Sequence, residues 1–337
     1  AHSSAYAFVA YQTAYLKANY PAEYMAAVLS RNLNDIEKLS KFMDECKSMK
    51  IPVKGPDINE SYKNFSANKA GEIRFGLGGI KTVGVNAVEA IISERKENGP
   101  YESIYDFVER VNLSSCNRRT LEALALAGCF DCFSEIDRED FFVRNTKDET
   151  FLEVLTKYGS RFQEDKNNQA TSLFGCMEEN VVFTSKPPIP KSEKWANIIK
   201  LDKEREYVGM YLSAHPLDPF FMELEYGCNV KLKDIKDMAN EIDKEFTFGG
   251  LVVEFTERPT KTGSLFGIMK IEDFSGSYEI RLFKDKLITY RKYGVVGTPI
   301  IAKGMYQKRS KYNDTIDFNL TNIDLLENVK GTLINSI

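Results

Sequence analysis

At Phe246 the spacing of apolar residues changes. Before that point they recur every three or four positions; after it they alternate, through FTFGGLVVEFTERPT, SLFGIMKIEDFS, GSYEIRLFK, TPIIAKGMYQKR and TIDFNLTNIDLL. Alternation lays apolar side chains on one face of a strand, whereas a period near 3.6 lays them along one stripe of a helix. One layer cannot satisfy both. The chain is therefore expected to be a multidomain α+β protein, helical first and strand-built last, and its 337 residues also exceed what one core ordinarily serves.

Between the third and fourth alternating segments lies DKLITYRKYGVVG, which reads as a helix. Three strands, a helix and two strands is the order of the OB-fold, a five-stranded Greek-key barrel that commonly binds oligonucleotides. Gly249, Gly250 and Gly267 fall where coiled strands must bend. Any small barrel would give the same run of segments. Asp273, in EDFSG, reads as a turn-former rather than a ligand.

The helical part opens with AHSSAYAFVAYQTAYLKANY, whose stripe runs through Tyr6, Val9, Ala10, Thr13 and Leu16, and Pro21 suits the first turn of the next helix. Asn34, followed three residues later by Glu37, predicts the N-cap of a third. IPVKGPDINESYKNF interrupts the pattern, and YKNFSANKAGEIRFGL predicts a hairpin turning near Asn68 to Gly71. Helical spacing resumes from Ile80 to near Leu155. Residues 157–195, with mixed charge and a Pro-Pro pair, are expected to be a linker. KLDKEREYVGMYLSAHPLDPF then predicts a helix ending before Pro216.

Bulk properties exclude some functions. A net charge of -4 argues against a wholly basic nucleic-acid coat, though not against local basic patches. No apolar run is long enough for a bilayer and no signal-peptide order opens the sequence, so a cytoplasmic protein without membrane partners is expected. The six cysteines are too scattered for a disulfide framework, and Cys129 and Cys132 have no second close pair to complete a zinc site. With only His2 and His215, and no nucleophile, phosphate-loop or metalloprotease motif, neither a catalytic nor a metal site is assigned.

One motif does carry chemistry. GGIKTVGVNAVEAIISERKENG has the sequence of a helix-hairpin-helix element, with Gly79 and Gly84 flanking a tight turn. Glycines there let backbone N–H groups approach a phosphate at a helix N-terminus. Such contact holds duplex DNA without reading it, and Lys81 and Asn86 are placed to add a charge and a hydrogen bond. A packing turn would need the same glycines. NLSSCNRRTLEALALAGCFD puts Asn117, Arg118 and Arg119 at the start of another helix, as a degenerate second hairpin would.

These segments together resemble a known family. AHSSAYAFVAYQTAYLKANYPAEYMAAVLS, PDINESYKNF, IRFGLGGIKTVG, YESIYDFVERV, NRRTLEALALAGCFD and EREYVGMYLSAHPL are similar, in order, to the alpha subunit of bacterial DNA polymerase III. The resemblance implies a C-terminal portion of that replicative polymerase. The palm, with its aspartates and Mg2+, would precede Ala1, so no cofactor is expected here and the chain alone should not polymerise. It further implies that residues 1–50 end the fingers, with His2, Ser3, Ser4, Tyr6 and Gln12 near nucleotide and template; 51–156 form the clamp-binding, helix-hairpin-helix domain; 196–244 are a helical connection; 245–327 are an OB domain for single-stranded template; and 328–337 are a tail. Charged OB groups expected on the strand are Arg258, Lys261, Lys308 and Arg309, with Phe248, Phe266, Lys270, Arg281, Phe283 and Lys303 as further candidates.

The same resemblance gives NNQATSLFG in the linker a destination. Gln169, Ser172, Leu173 and Phe174 fit the hexapeptide that docks in the bacterial beta sliding clamp. Implied partners are primer-template DNA, the clamp and other polymerase III holoenzyme subunits. The competing reading is a stand-alone nucleic-acid-binding adaptor.

Overall fold

The computed structural model describes residues 2–33, 35–171, 185–259, 263–310 and 313–329. They form two compact units, Ala1–Ser213 and Ala214–Ile337. The division falls inside the stretch expected as a helical connection.

In the first unit, α1 (His2–Asn19) and α2 (Pro21–Arg31) meet at Pro21 as predicted, and α2 buries Ala22, Met25, Ala26 and Leu29 at helical spacing. Helix α3 (Ile36–Ser48) is capped by Asp35, whose carboxylate accepts the Lys38 amide at 3.2 Å. The cap thus stands one residue after Asn34, which lies outside the described residues; an Asp serves that role as well as an Asn. The predicted hairpin is present, as β2 (Ser66–Ala67) antiparallel to β3 (Ile73–Arg74), and β1 (Val53–Lys54) adds a parallel strand that the sequence did not announce.

Helices α4 (Val85–Asn98), α5 (Ile104–Arg110) and α6 (Arg118–Leu126) follow around a core that includes Phe75, Ile91, Phe107 and Leu124. Arg110 fixes the turn from α4 to α5, donating to Glu94, Asp106 and the Gly99 carbonyl while its guanidinium covers the Tyr101 ring.

The expected linker is different. Helix α7 (Phe151–Thr171) continues through its first part, with Phe151, Leu152, Leu155 and Tyr158 buried and Gln163 donating to the Val108 and Val111 carbonyls at 2.8 Å. Residues 185–195 are extended but tied to the body. Lys191 and the Ser192 amide reach Asp140 at 3.0 Å, the Trp195 amide reaches Glu139 at 3.0 Å, and the Trp195 ring stacks on Phe142. Helix α8 (Asn197–Val208) ends at Gly209, whose φ of 92° breaks the helix well before Pro216.

The second unit contains α9 (Phe221–Gly227) and five strands, β4 (Glu245–Pro259), β5 (Leu265–Glu272), β6 (Ser277–Phe283), β7 (Pro299–Ser310) and β8 (Asn313–Leu325). Helix α10 (Asp285–Tyr290) lies between the third and fourth strands as predicted, and α11 (Leu326–Val329) ends the described chain. All neighbours are antiparallel, in the order β6-β5-β4-β7-β8. The expected barrel is not closed, since no ladder joins β6 to β8 among the described residues. A register shift at Val252/Glu254 bends β4, and the aromatic residues Phe248, Tyr278 and Phe318 pack together from three strands across the interior. Asp273 makes the turn expected of it, accepting from Ser275 and Gly276 amides at 2.7 and 2.9 Å.

Candidate nucleic-acid interface

In the first hairpin the leading helix is reduced to one 3-10 turn, Leu77–Gly79. A bond from the Val83 amide to the Ile80 carbonyl closes the turn at 3.2 Å, and its third residue, Thr82, has a φ of 68°. That left-handed position ordinarily takes Gly or Asn, and a β-branched residue there is strained. Helix α4 then starts at Gly84.

The two glycines have different reasons to exist. A Cβ on Gly79 would stand 2.8 Å from the Phe75 ring and from Leu33, so this glycine is required by packing, not by a ligand. Gly84 has an ordinary φ of -75°, and a Cβ on it would meet nothing within 4 Å. None of the described residues demands a glycine there. As N-cap it offers no side chain, so the first-turn amides of α4 face outward, with exposed Lys81 and Asn86 beside them.

The second predicted element is α5, a loop and α6. Asn117 caps α6, accepting the Thr120 amide at 3.1 Å, and so is occupied by the helix rather than free for a ligand. Arg118 is also engaged, Nη1 to Glu153 Oε1 at 2.6 Å. Arg119 is exposed and forms no ion pair among the described residues. The two helix starts lie side by side, because Cys116 Sγ, next to the α6 cap, donates to the Ala87 carbonyl in the first turn of α4 at 3.8 Å. Burial pushes the Cys116 thiol up to about 12, which keeps its proton in that contact. The starts of α4 and α6, each a partially positive helix end, are therefore neighbours.

On the second unit, register sorts the OB candidates. Phe248 is fully buried. Arg258 pairs with Phe266, and Phe266 with Phe283, forming one row across β4, β5 and β6. The two rings stack with centroids 5.3 Å apart, and Phe283 remains 49% exposed. Ile268 and Arg281 form the next paired position on the same face. Lys308 is exposed on β7; Lys261 and the Arg309 side chain lie outside the described residues.

Of the other predicted positions, Ser3, Ser4, Tyr6 and Gln12 are exposed on α1 and the His2 side chain lies outside the described residues; the neighbouring Tyr11 and Tyr15, like Tyr6, are not buried by any of the described residues, at 68%, 50% and 75% exposure. Gln169 is in the last turn of α7, whereas its side chain and Ser172, Leu173 and Phe174 lie outside the described residues. Among the described residues no group of three or more His, Cys, Asp or Glu could hold a metal, and no helix is long and apolar enough to cross a membrane. The buried carboxylates Glu139 and Asp140 are engaged by the chain's own lysines and amides. Sequence reasoning missed Thr82 and Cys116, neither of which carries a recognisable motif.

The helix-hairpin-helix motif family model matches residues 50–141, a range that spans both candidate elements. The DNA polymerase III subunit alpha of Pasteurella multocida is 36% identical over 90% of this chain and 25% of its own length. That of Escherichia coli K12 is 36% identical over 86% of this chain and 24% of its own length, and that of Borreliella burgdorferi is 34% identical over 98% and 28%. The chain thus spans about a quarter of these relatives. Among solved structures, a mitochondrial single-stranded DNA-binding protein from S. cerevisiae aligns with 25% of this chain at 19% identity and a TM-score of 0.20, too low to bear on function.

Proposed function

We infer that this chain, a homologue of the bacterial DNA polymerase III alpha subunits over nearly all of its own length, is a DNA-holding portion of such a subunit. The observation that carries this reading is Gly84. A glycine that neither backbone angle nor packing requires, at the unfilled N-terminus of a helix and beside a second helix start, suits close approach of a phosphate. The first unit would hold primer-template duplex by its backbone, with Lys81, Asn86 and Arg119 adding side-chain contacts. Arg118 would join them only by leaving Glu153.

The outer row of the second unit would take single-stranded template. Stacked, half-exposed rings flanked by arginine offer a sequence-tolerant surface for unpaired bases. Gln169, Ser172, Leu173 and Phe174 are proposed to bind the beta sliding clamp, the Leu-Phe pair entering an apolar pocket. Burying those two side chains contributes roughly 1.5–3 kcal/mol each, against a backbone-ordering cost of about 1–2 kcal/mol per residue, so clamp and DNA contacts must act together. Other holoenzyme subunits are the remaining proposed partners. The Mg2+-dependent nucleotide transfer of the whole subunit is proposed to reside in the part of the relatives this chain does not match, and the chain alone is not expected to polymerise.

Duplex binding measured across a salt series tests the central reading. Phosphate contact predicts a steep, sequence-independent loss of affinity with salt, and Lys81→Ala with Arg119→Ala should reduce the slope by about 2. An unchanged slope would remove the hairpins from the interface.

A further inference from the structure

The strained hairpin turn is held by an element distant in sequence. The Lys81 amide, next to Thr82, donates to the Tyr207 carbonyl at 2.8 Å, in the last turn of α8. Final-turn carbonyls have no partner within their own helix, so the bond satisfies one of them while fixing the residue that precedes the left-handed one. Strained backbone persists only where its surroundings over-determine it.

The end of α8 is itself fixed by Glu204. Only 2% exposed, its Oε1 accepts the Leu212 and Ser213 amides at 2.5 and 2.8 Å, folding the chain beyond Gly209 back on the helix. Its other oxygen lies 3.7 Å from Arg138, which follows α6 and also donates to Asp131 at 2.9 Å. One buried carboxylate therefore links the region after α6 to the helix end that grips the first hairpin.

We propose that Glu204 is a positioning residue for duplex binding, acting through the Tyr207 carbonyl to keep the turn at Lys81–Thr82 in its strained, phosphate-accepting shape. This rests on the duplex reading of the hairpins. No DNA contact by Glu204 is involved.

The test uses the full chain, its Glu204→Ala, Glu204→Gln and Lys81→Ala variants, and each Glu204 variant combined with Thr82→Gly. Glycine adopts a positive φ without strain, so it should make the brace less necessary. Glu204→Ala is expected to weaken duplex binding roughly 3- to 30-fold, the usual range for a residue coupled to a site through its supports. Hydrogen-exchange protection at the Lys81 amide should fall while core amides of α4 and α6 stay protected, and Thr82→Gly should restore most of the affinity. Glu204→Gln, which keeps one acceptor oxygen, should lie between. A protected Lys81 amide in Glu204→Ala, or weakened binding that Thr82→Gly does not rescue, would overturn the brace. Loss of protection with wild-type affinity in both Glu204→Ala and Lys81→Ala would overturn the duplex reading and the brace's role in binding with it.

Discussion

The rings of Tyr278 on β6 and Phe318 on β8 meet edge to face with centroids 5.7 Å apart, although their strands stand at opposite ends of the hydrogen-bonded order. Side-chain packing thus joins two strands that backbone pairing leaves apart. Phe248 on the central strand lies within 5.9 Å of both rings, centroid to centroid.

Removing one member of this trio should open the sheet. Tyr278→Ala is expected to cost the second unit about 3–5 kcal/mol, as large aromatic truncations in cores do. Urea unfolding followed by circular dichroism would measure it. Trp195, the single tryptophan, belongs to the first unit, so its fluorescence transition should not move.

The outer row offers a contrasting substitution. Phe283 is half-exposed, so Phe283→Ala should cost little stability, yet it should weaken binding of a single-stranded oligonucleotide by about 1–3 kcal/mol. Fluorescence anisotropy with a labelled homopolymer would show it, and an unaltered affinity would take the row out of the interface.

Asp140 confers a pH dependence on the segment that carries Trp195. Burial pushes its carboxyl up, but the Asp137 amide, the Lys191 ammonium and the Ser192 amide outweigh this and hold it below the ordinary carboxylate value. A depressed pKa in the folded state adds stability above the unfolded value near ~4, lost as pH falls through the folded one. Trp195 fluorescence should therefore change on acidification below about pH 4. Asp140→Asn should cost about 1–3 kcal/mol at neutral pH and remove much of that titration.

The clamp assignment is checked by retention on immobilised beta clamp. Leu173→Ala with Phe174→Ala should abolish retention of the chain while leaving duplex affinity within about twofold, since no phosphate contact is lost. Equal retention would refute the motif.

Much of this was legible in the amino-acid sequence because it depends on neighbours a few residues apart. Alternation fixed the strands and their order, Pro21 the start of α2, the Asn68 to Gly71 run its hairpin, and the glycine-flanked turn the first DNA-binding candidate. The helical continuation of α7 was encoded too, in Phe151, Leu155, Tyr158 and Phe162, but the polar residues between them diluted it. Other features depended on groups far apart in the chain. Only the tertiary structure showed that Gly79 serves packing while Gly84 faces open space, because the Leu33 side chain that meets Gly79 comes from a distant segment. Only it occupied Arg118 with Glu153, left the barrel unclosed among the described residues, and brought the Tyr207 carbonyl to the Lys81 amide. Local periodicity specifies which face a residue turns to the core; what it meets there is settled when distant segments pack.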